Sequence, residues 1–142
     1  LLMIKYRNLK ISNSKRISQL NNLFKKFIKS GFYLRSSQSK KLEKKLSKKI
    51  GHRHSFLLSS GTNSIYLALK ALNLKPNSEV ICPVISWVAS ANAIVAAGYK
   101  PVFIDVGIDQ NINVSLVEKK ITKKTKAMLA VHFKGIICDI KK

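Results

Sequence analysis

Apolar residues follow two rhythms along the 142-residue chain. In the first third they recur at helical spacing. Leu42, Leu46 and Ile50 lie four apart between lysine pairs, which places them on one stripe of a helix over 37–50. A similar helix is expected over 15–30, preceded by a short arm. From residue 55 onward the apolar positions instead form short, nearly continuous runs: Phe56-Leu57-Leu58, Val80-Ile81-Cys82, Val102-Phe103-Ile104 and Ala127 to Val131. These predict strands near 55–59, 79–82, 101–105 and 126–131, alternating with helices near 61–73, 86–97 and 114–121. Strands apolar on both sides belong in a mostly parallel sheet with helices on both faces, so the fold class is α/β. Pro76, Pro83 and Pro101 fall in connections or at element starts, where a fixed φ and a missing donor are tolerated. The chain stops where a further helix should begin. The sheet is therefore expected to be truncated, with an edge and apolar surface left for a missing part to cover.

A hydrophobic content of 46% suffices for a sizeable core. No segment approaches the roughly 18 apolar residues of a membrane span. Lys5, Arg7 and Lys10 interrupt any signal-like start, and Leu1-Leu2 ahead of Met3 suggests that translation begins at Met3 or upstream. The expected location is cytoplasmic. Cys82 and Cys138 sit in apolar surroundings with no C-x-x-C or Cys/His spacing, which implies reduced, buried thiols and no metal site.

Charge changes the picture more. The net charge is +21. Residues 1–54 hold 16 of the 27 basic residues and one of the six acids, concentrated in the lysine pairs of 40–49. A basic amphipathic helix can meet nucleic acid, an anionic membrane surface or an acidic partner. It can equally be a solvated face. Aromatic interleaving and arginine readout residues are lacking, which argues against nucleic acid.

Candidate chemistry begins at residue 56. The apolar run ending at Ser59 breaks at Ser60-Gly61-Thr62-Asn63-Ser64 and resumes at helical spacing from Ile65. A strand feeding a helix through small hydroxyl-bearing residues leaves the first helical N–H groups aimed at one spot, where the helix dipole favours an anion. The outline is that of a phosphate cradle, although the same residues are also common helix caps. Trp87 offers a flat ring face or, alternatively, a core aromatic of an amphipathic helix. Asp105 and His132 both end strands. Asp105 can approach a ligand or cap its turn, and His132 can reach a bound group or be structural.

Several segments together carry a resemblance. Gly31-Phe32-Tyr33-Leu34 with Leu42-Glu43, Ser60-Gly61-Thr62, Ser86-Trp87-Val88-Ala89, Pro101-Val102-Phe103-Ile104-Asp105, and Thr125-Lys126-Ala127 with Val131-His132 occur in the order and spacing of the DegT/StrS-type sugar aminotransferases. These are fold-type-I enzymes dependent on pyridoxal phosphate. The likeness runs from near Gly31 to the end of the chain. Ser36 and Lys134 depart from it, standing where a glycine and an aromatic are more usual.

The resemblance implies an N-terminal arm and helix over 1–30, and over 31–142 part of the large, cofactor-binding domain without its C-terminal part. It implies pyridoxal 5'-phosphate held by Gly61, Thr62 and Asn63, with Trp87 against the ring. It implies a homodimer acting on a nucleotide-activated keto sugar, with glutamate as amino donor, and lysines that steer the anionic substrate. The family's ring-nitrogen aspartate and Schiff-base lysine lie beyond Lys142. No catalytic residue is therefore assigned, and the fragment is expected to be inactive alone. Two alternatives stand beside this reading: a same-scaffold relative with a non-sugar substrate, and a catalytically silent protein whose basic helix binds polyanions.

Overall fold

The computed structural model describes residues 9–34 and 37–141. Met3, most of the expected arm, and Ser36 lie outside them. The chain divides into two units, Leu1–Leu57 and Leu58–Lys142.

The first unit is helical. Helix α1 spans Ser14–Ser30; Asn13 caps it by accepting the Arg16 N–H through Oδ1 at 3.0 Å. Gly31 ends it in the left-handed conformation, φ 66°, donating its N–H to the Ile28 carbonyl. Helix α2 spans Ser37–Ile50. Its stripe is only partly covered, since Leu42 and Ile50 remain exposed, and all six of its lysines face solvent. Glu43, its one acid, accepts the Leu57 N–H through Oε1 at 3.0 Å.

The second unit carries the sheet. Its elements in order are α3 (Gly61–Ala71), β1 (Glu79–Pro83), α4 (Ala89–Ala96), β2 (Lys100–Ile104), α5 (Val114–Val117) with a 3₁₀ turn to Lys120, β3 (Thr125–Met128) and a 3₁₀ turn at Phe133–Gly135. The three strands are parallel in the order β2-β1-β3, as nearly continuous apolar runs require. Pro101 sits on an edge strand, where a missing donor is tolerated. Alternation along the central strand divides the core. Val80 and Cys82 turn to one face with Leu69 of α3, Ala93 and Ile94 of α4 and Tyr99. Ile81 turns to the other with Ile104, Ile112 and Cys138, against Leu116 and Val117 of α5. Helices thus cover both faces. Alanines at 89 and 93 let α4 approach the sheet closely, and Ile94 is fully buried. The one phenol in this core is satisfied: Tyr99 Oη accepts the Leu74 N–H at 3.2 Å and donates to the Leu69 carbonyl at 3.4 Å.

The strand expected over 55–59 is not formed. Phe56, Leu57 and Leu58 run without ladder pairing and are exposed. Apolar β-formers give a preference for extension, but a strand exists only where a neighbouring edge takes its N–H and C=O groups. None of the described strands offers one to this segment.

Glu79 clips the start of the sheet. Its Oε2 accepts the Thr122 hydroxyl at 2.6 Å and the Thr125 hydroxyl at 3.3 Å. The Thr122 bond holds the carboxyl below its ordinary range against some desolvation, with Thr125, Lys100 and Lys124 adding to the lowering. A carboxyl with a folded-state pKa below its unfolded value stabilises the fold above the unfolded value. That contribution disappears as pH falls through the folded one. Glu79→Gln is therefore expected to lower the urea midpoint near pH 7 and to lose that effect once pH has fallen through the lowered folded-state value. An equal deficit at both pH values would show that the charge is not what matters.

Candidate functional site

The sequence Ser59-Ser60-Gly61-Thr62-Asn63 opens α3 through a tight set of caps. Ser60 is extended, φ −160° and ψ 162°; its Oγ accepts the Asn63 N–H at 3.2 Å and its carbonyl accepts the Ser64 N–H at 3.0 Å. Asn63 Nδ2 donates to Ser59 Oγ at 2.7 Å. The third helical N–H is thus satisfied internally. The N–H groups of Gly61 and Thr62, at the first and second positions, have no acceptor among the described residues and are exposed. A Cβ added at Gly61 would meet no atom of the chain within 4 Å. Packing within the chain therefore does not account for the glycine, and the space beside it is open to a ligand approaching the backbone. Thr62 presents its hydroxyl at the same end of the helix.

Trp87 lies in the connection between β1 and α4, one residue before the turn that starts α4. It is 78% exposed. The alternative of a core aromatic on an amphipathic helix is thereby removed, because the helix expected from 86 begins only at Ala89. Trp87 lines a cavity of about 630 Å³ with Ile65, Ser86, Ser90, His132 and Lys134. Ile65 stands one turn into α3, while Gly61, Thr62 and Asn63 are not part of this lining. The wall is made by the segments leaving β1 and β3 at their carboxyl ends, the side of a parallel sheet where ligands are received.

The strand-end candidates separate. Asp105 Oδ1 accepts the Val106 N–H at 2.8 Å, and the residue does not line the cavity. It caps the end of its strand, and its carbonyl accepts the Asn113 N–H at 2.9 Å. His132 does line the cavity, and its Nδ1 accepts the Cys138 N–H at 3.0 Å. Since Nδ1 is the acceptor, the neutral ring carries its proton on Nε2.

Three features escaped the sequence reading. Ser86 and Ser90 share a hydroxyl–hydroxyl hydrogen bond of 2.7 Å in the cavity wall; their spacing of four was the available signal. Lys134 adopts φ 53°, ψ 22°, which no local pattern announces for a lysine. Asn111 is only 2% exposed. Its Oδ1 accepts the Phe133 N–H at 3.0 Å, and its Nδ2 donates to Asp109 Oδ2 at 3.0 Å and to the Ile136 carbonyl at 3.2 Å. It holds the turn that carries His132 and Lys134.

The two cysteines stay out of this chemistry. Burial pushes the Cys82 thiol up to about 11. Cys138 is also raised, by burial and then by the carboxylates of Asp109 and Asp139. Among the described residues no cluster of three or more His, Cys, Asp or Glu could hold a metal, and no helix is long and apolar enough to cross a membrane. A larger recess, about 810 Å³, lies in the first unit against Leu20, Leu23, Phe24, Phe27 and Phe32. Lys26, Ser30, Ser37 and Gln38 complete its wall, but no end of a described strand opens into it.

Comparison with known proteins agrees with the geometry. The chain is 37% identical over 114 residues to the UDP-4-amino-4-deoxy-L-arabinose–oxoglutarate aminotransferase of Shewanella sediminis, covering 80% of this chain and 29% of the relative. It is 44% identical over 89 residues to the GDP-perosamine synthase of Vibrio cholerae, covering 62% and 24% respectively. It thus spans less than a third of either. Among solved structures, NtdA of Bacillus subtilis, with its cofactor PMP bound, superposes with a TM-score of 0.86 at 29% identity, covering 97% of this chain and 34% of that one. The sequence profile that matches residues 15–142 completes the assignment: the chain belongs to the DegT/DnrJ/EryC1/StrS aminotransferase family.

Proposed function

We propose that the second unit forms the phosphate-holding and ring-stacking wall of a pyridoxal-phosphate-dependent aminotransferase. The whole protein would act as a cytoplasmic homodimer and transfer an amino group from glutamate to a keto group of a nucleotide-activated sugar. The observation that carries the reading is the pair of unsatisfied N–H groups at the start of α3, one turn from a cavity lined by an exposed tryptophan at the carboxyl ends of a parallel sheet. Nucleotide-sugar enzymes among the relatives support the substrate class.

The residues present fit the cofactor. The N–H groups of Gly61 and Thr62, with the Thr62 hydroxyl, supply charge-assisted donors to a phosphate at a helix N-terminus. Asn63 contributes to the rigidity of that loop through its bond to Ser59. Trp87 supplies a face for an aromatic ring, and Leu129, Ala130 and Val131 keep the cavity wall apolar. When bound, pyridoxal phosphate provides the electron sink for breaking and forming bonds at the amine-bearing carbon. No acid lines the cavity, so the carboxylate that pairs with the ring nitrogen is assigned to residues outside this stretch; the family resemblance assigns the anchoring lysine there too, because Lys134, the lysine of this wall, stands where an aromatic is more usual.

Trp87 is the only tryptophan in the sequence, so its fluorescence reports on this site alone. Titration of the chain with pyridoxal phosphate is expected to quench it saturably. An assay with glutamate and keto-sugar acceptors is expected to show no amine transfer above free cofactor. Absence of saturable quenching would remove the cofactor assignment, and turnover abolished by replacing one lysine of this chain would show that it carries its own anchor.

A further inference from the structure

Lys134 is the one cationic residue lining the Trp87 cavity among the described residues, and the cofactor reading gives it no task. The family resemblance puts an aromatic side chain at its position, yet here a lysine lines the cavity. Its backbone lies in the left-handed region, φ 53°, which residues with a Cβ avoid and glycine accepts readily. Gly135 follows at φ 83°. The unfavourable conformation persists because its surroundings impose it. Buried Asn111 takes the Phe133 N–H on one side of Lys134 and donates to the Ile136 carbonyl on the other. Backbone strain maintained in this way at a cavity is a reason to look for a function.

The charge has no carboxylate partner among the described residues of the cavity. Lys134 Nζ sits 5.5 Å from the centroid of the Phe133 ring, a cation–π contact that positions the ammonium without cancelling it. No Asp or Glu lines the cavity. Within the same wall His132 has committed Nδ1 to the Cys138 N–H, so its Nε2–H is a second donor. Lys134 and His132 are both solvent-exposed, so the pair acts as a salt-sensitive anion attractor at the mouth of a wall otherwise made by Leu129, Ala130 and Val131.

The geometry points to Lys134, with His132 Nε2–H, as a second anion subsite in the Trp87 cavity, distinct from the start of α3, which receives the carboxylate or phosphate group of the reacting partner. This rests on the aminotransferase reading for the identity of that partner. A carboxylate would come from the amino donor or its keto acid, and a phosphate from the nucleotide carrier of the sugar.

The test uses Trp87 fluorescence of the full chain titrated separately with 2-oxoglutarate, glutamate and UDP. Saturable binding that weakens with salt is expected for at least one of them. A preference for the dicarboxylates assigns the subsite to the amino donor, and a preference for UDP assigns it to the nucleotide. Lys134→Gly is expected to weaken that binding about tenfold or more and to flatten its salt dependence. Its thermal midpoint should not fall, because glycine suits the left-handed backbone. Lys134→Arg, which keeps the charge, is expected to bind within about threefold of the parent. The proposal is overturned if Lys134→Gly binds all three ligands as the parent does, or if the parent binds none at about 10 mM. Anion binding lost in Lys134→Gly, in a parent whose Trp87 does not respond to pyridoxal phosphate, would sustain the subsite while sinking the cofactor reading.

Discussion

Replacing Thr62 and Trp87 together by alanine is expected to weaken retention of pyridoxal phosphate by roughly 30-fold to a thousandfold. On the proposed reading the two side chains would act on opposite ends of one ligand. Thr62→Ala removes a hydroxyl at a helix start where the N–H groups already favour an anion; a hydrogen bond to a charged group contributes about 1.5–3 kcal/mol. Trp87→Ala removes a ring face worth about 0.5–1.5 kcal/mol beyond its buried area. Each kcal/mol lost adds to the other where the sites share no partner, so the double variant should bind worse than either single one. Neither change should unfold the protein, because Trp87 is 78% exposed and the Thr62 side chain is exposed and caps nothing. Since Trp87→Ala also removes the fluorophore, the measurement is cofactor absorbance after equilibrium dialysis. Variants that retain cofactor like the parent would reduce these residues to a helix start and a surface aromatic.

Asn111→Ala should destabilise the fold by about 1–3 kcal/mol and release the cavity wall. The truncation strips partners from the N–H of half-buried Phe133 and the carbonyl of exposed Ile136 at once; the first, left unpaired, costs about 1–3 kcal/mol, while water can replace the amide at the second. Asn111→Asp is expected to do no better. Its oxygens cannot donate to the Ile136 carbonyl, and its charge would face Asp109, 3.0 Å from the present amide nitrogen. Urea denaturation gives the stability loss, and amide hydrogen exchange at Phe133 reads the turn directly. Unchanged protection at Phe133 in Asn111→Ala would mean that the turn is held by something else, and the account of Lys134 would lose its clamp.

Local patterns made much of the chain legible. The four-residue spacing of Leu42, Leu46 and Ile50 located α2, and the apolar runs at Val80, Val102 and Ala127 located three parallel strands with their helices between them. Ser60-Gly61-Thr62 located the α3 start with its two free donors. These are properties of short stretches, governed by helical and extended periodicity and by capping, so adjacent residues suffice to express them. The 55–59 segment shows the limit of that reasoning. Its apolar residues read as a strand, but strand formation needs a partner edge, and partners are decided by topology.

What the sequence by itself determined is therefore the α/β class, the order of the elements after residue 60, the family motifs and the start of α3. Tertiary structure alone decided which side chains share a space. It put Trp87 ahead of α4 instead of on it, left Asp105 at its strand end outside the cavity, and brought His132 and Lys134 into the same wall as Ser86 and Ile65. It also gave Asn111 its role, through bonds to residues 22 and 25 positions away. The physical reason is that a cavity is made by segments converging from different strands. Its membership depends on parallel pairing and on buried polar groups finding distant partners, and neither has a signature in the spacing of neighbouring residues.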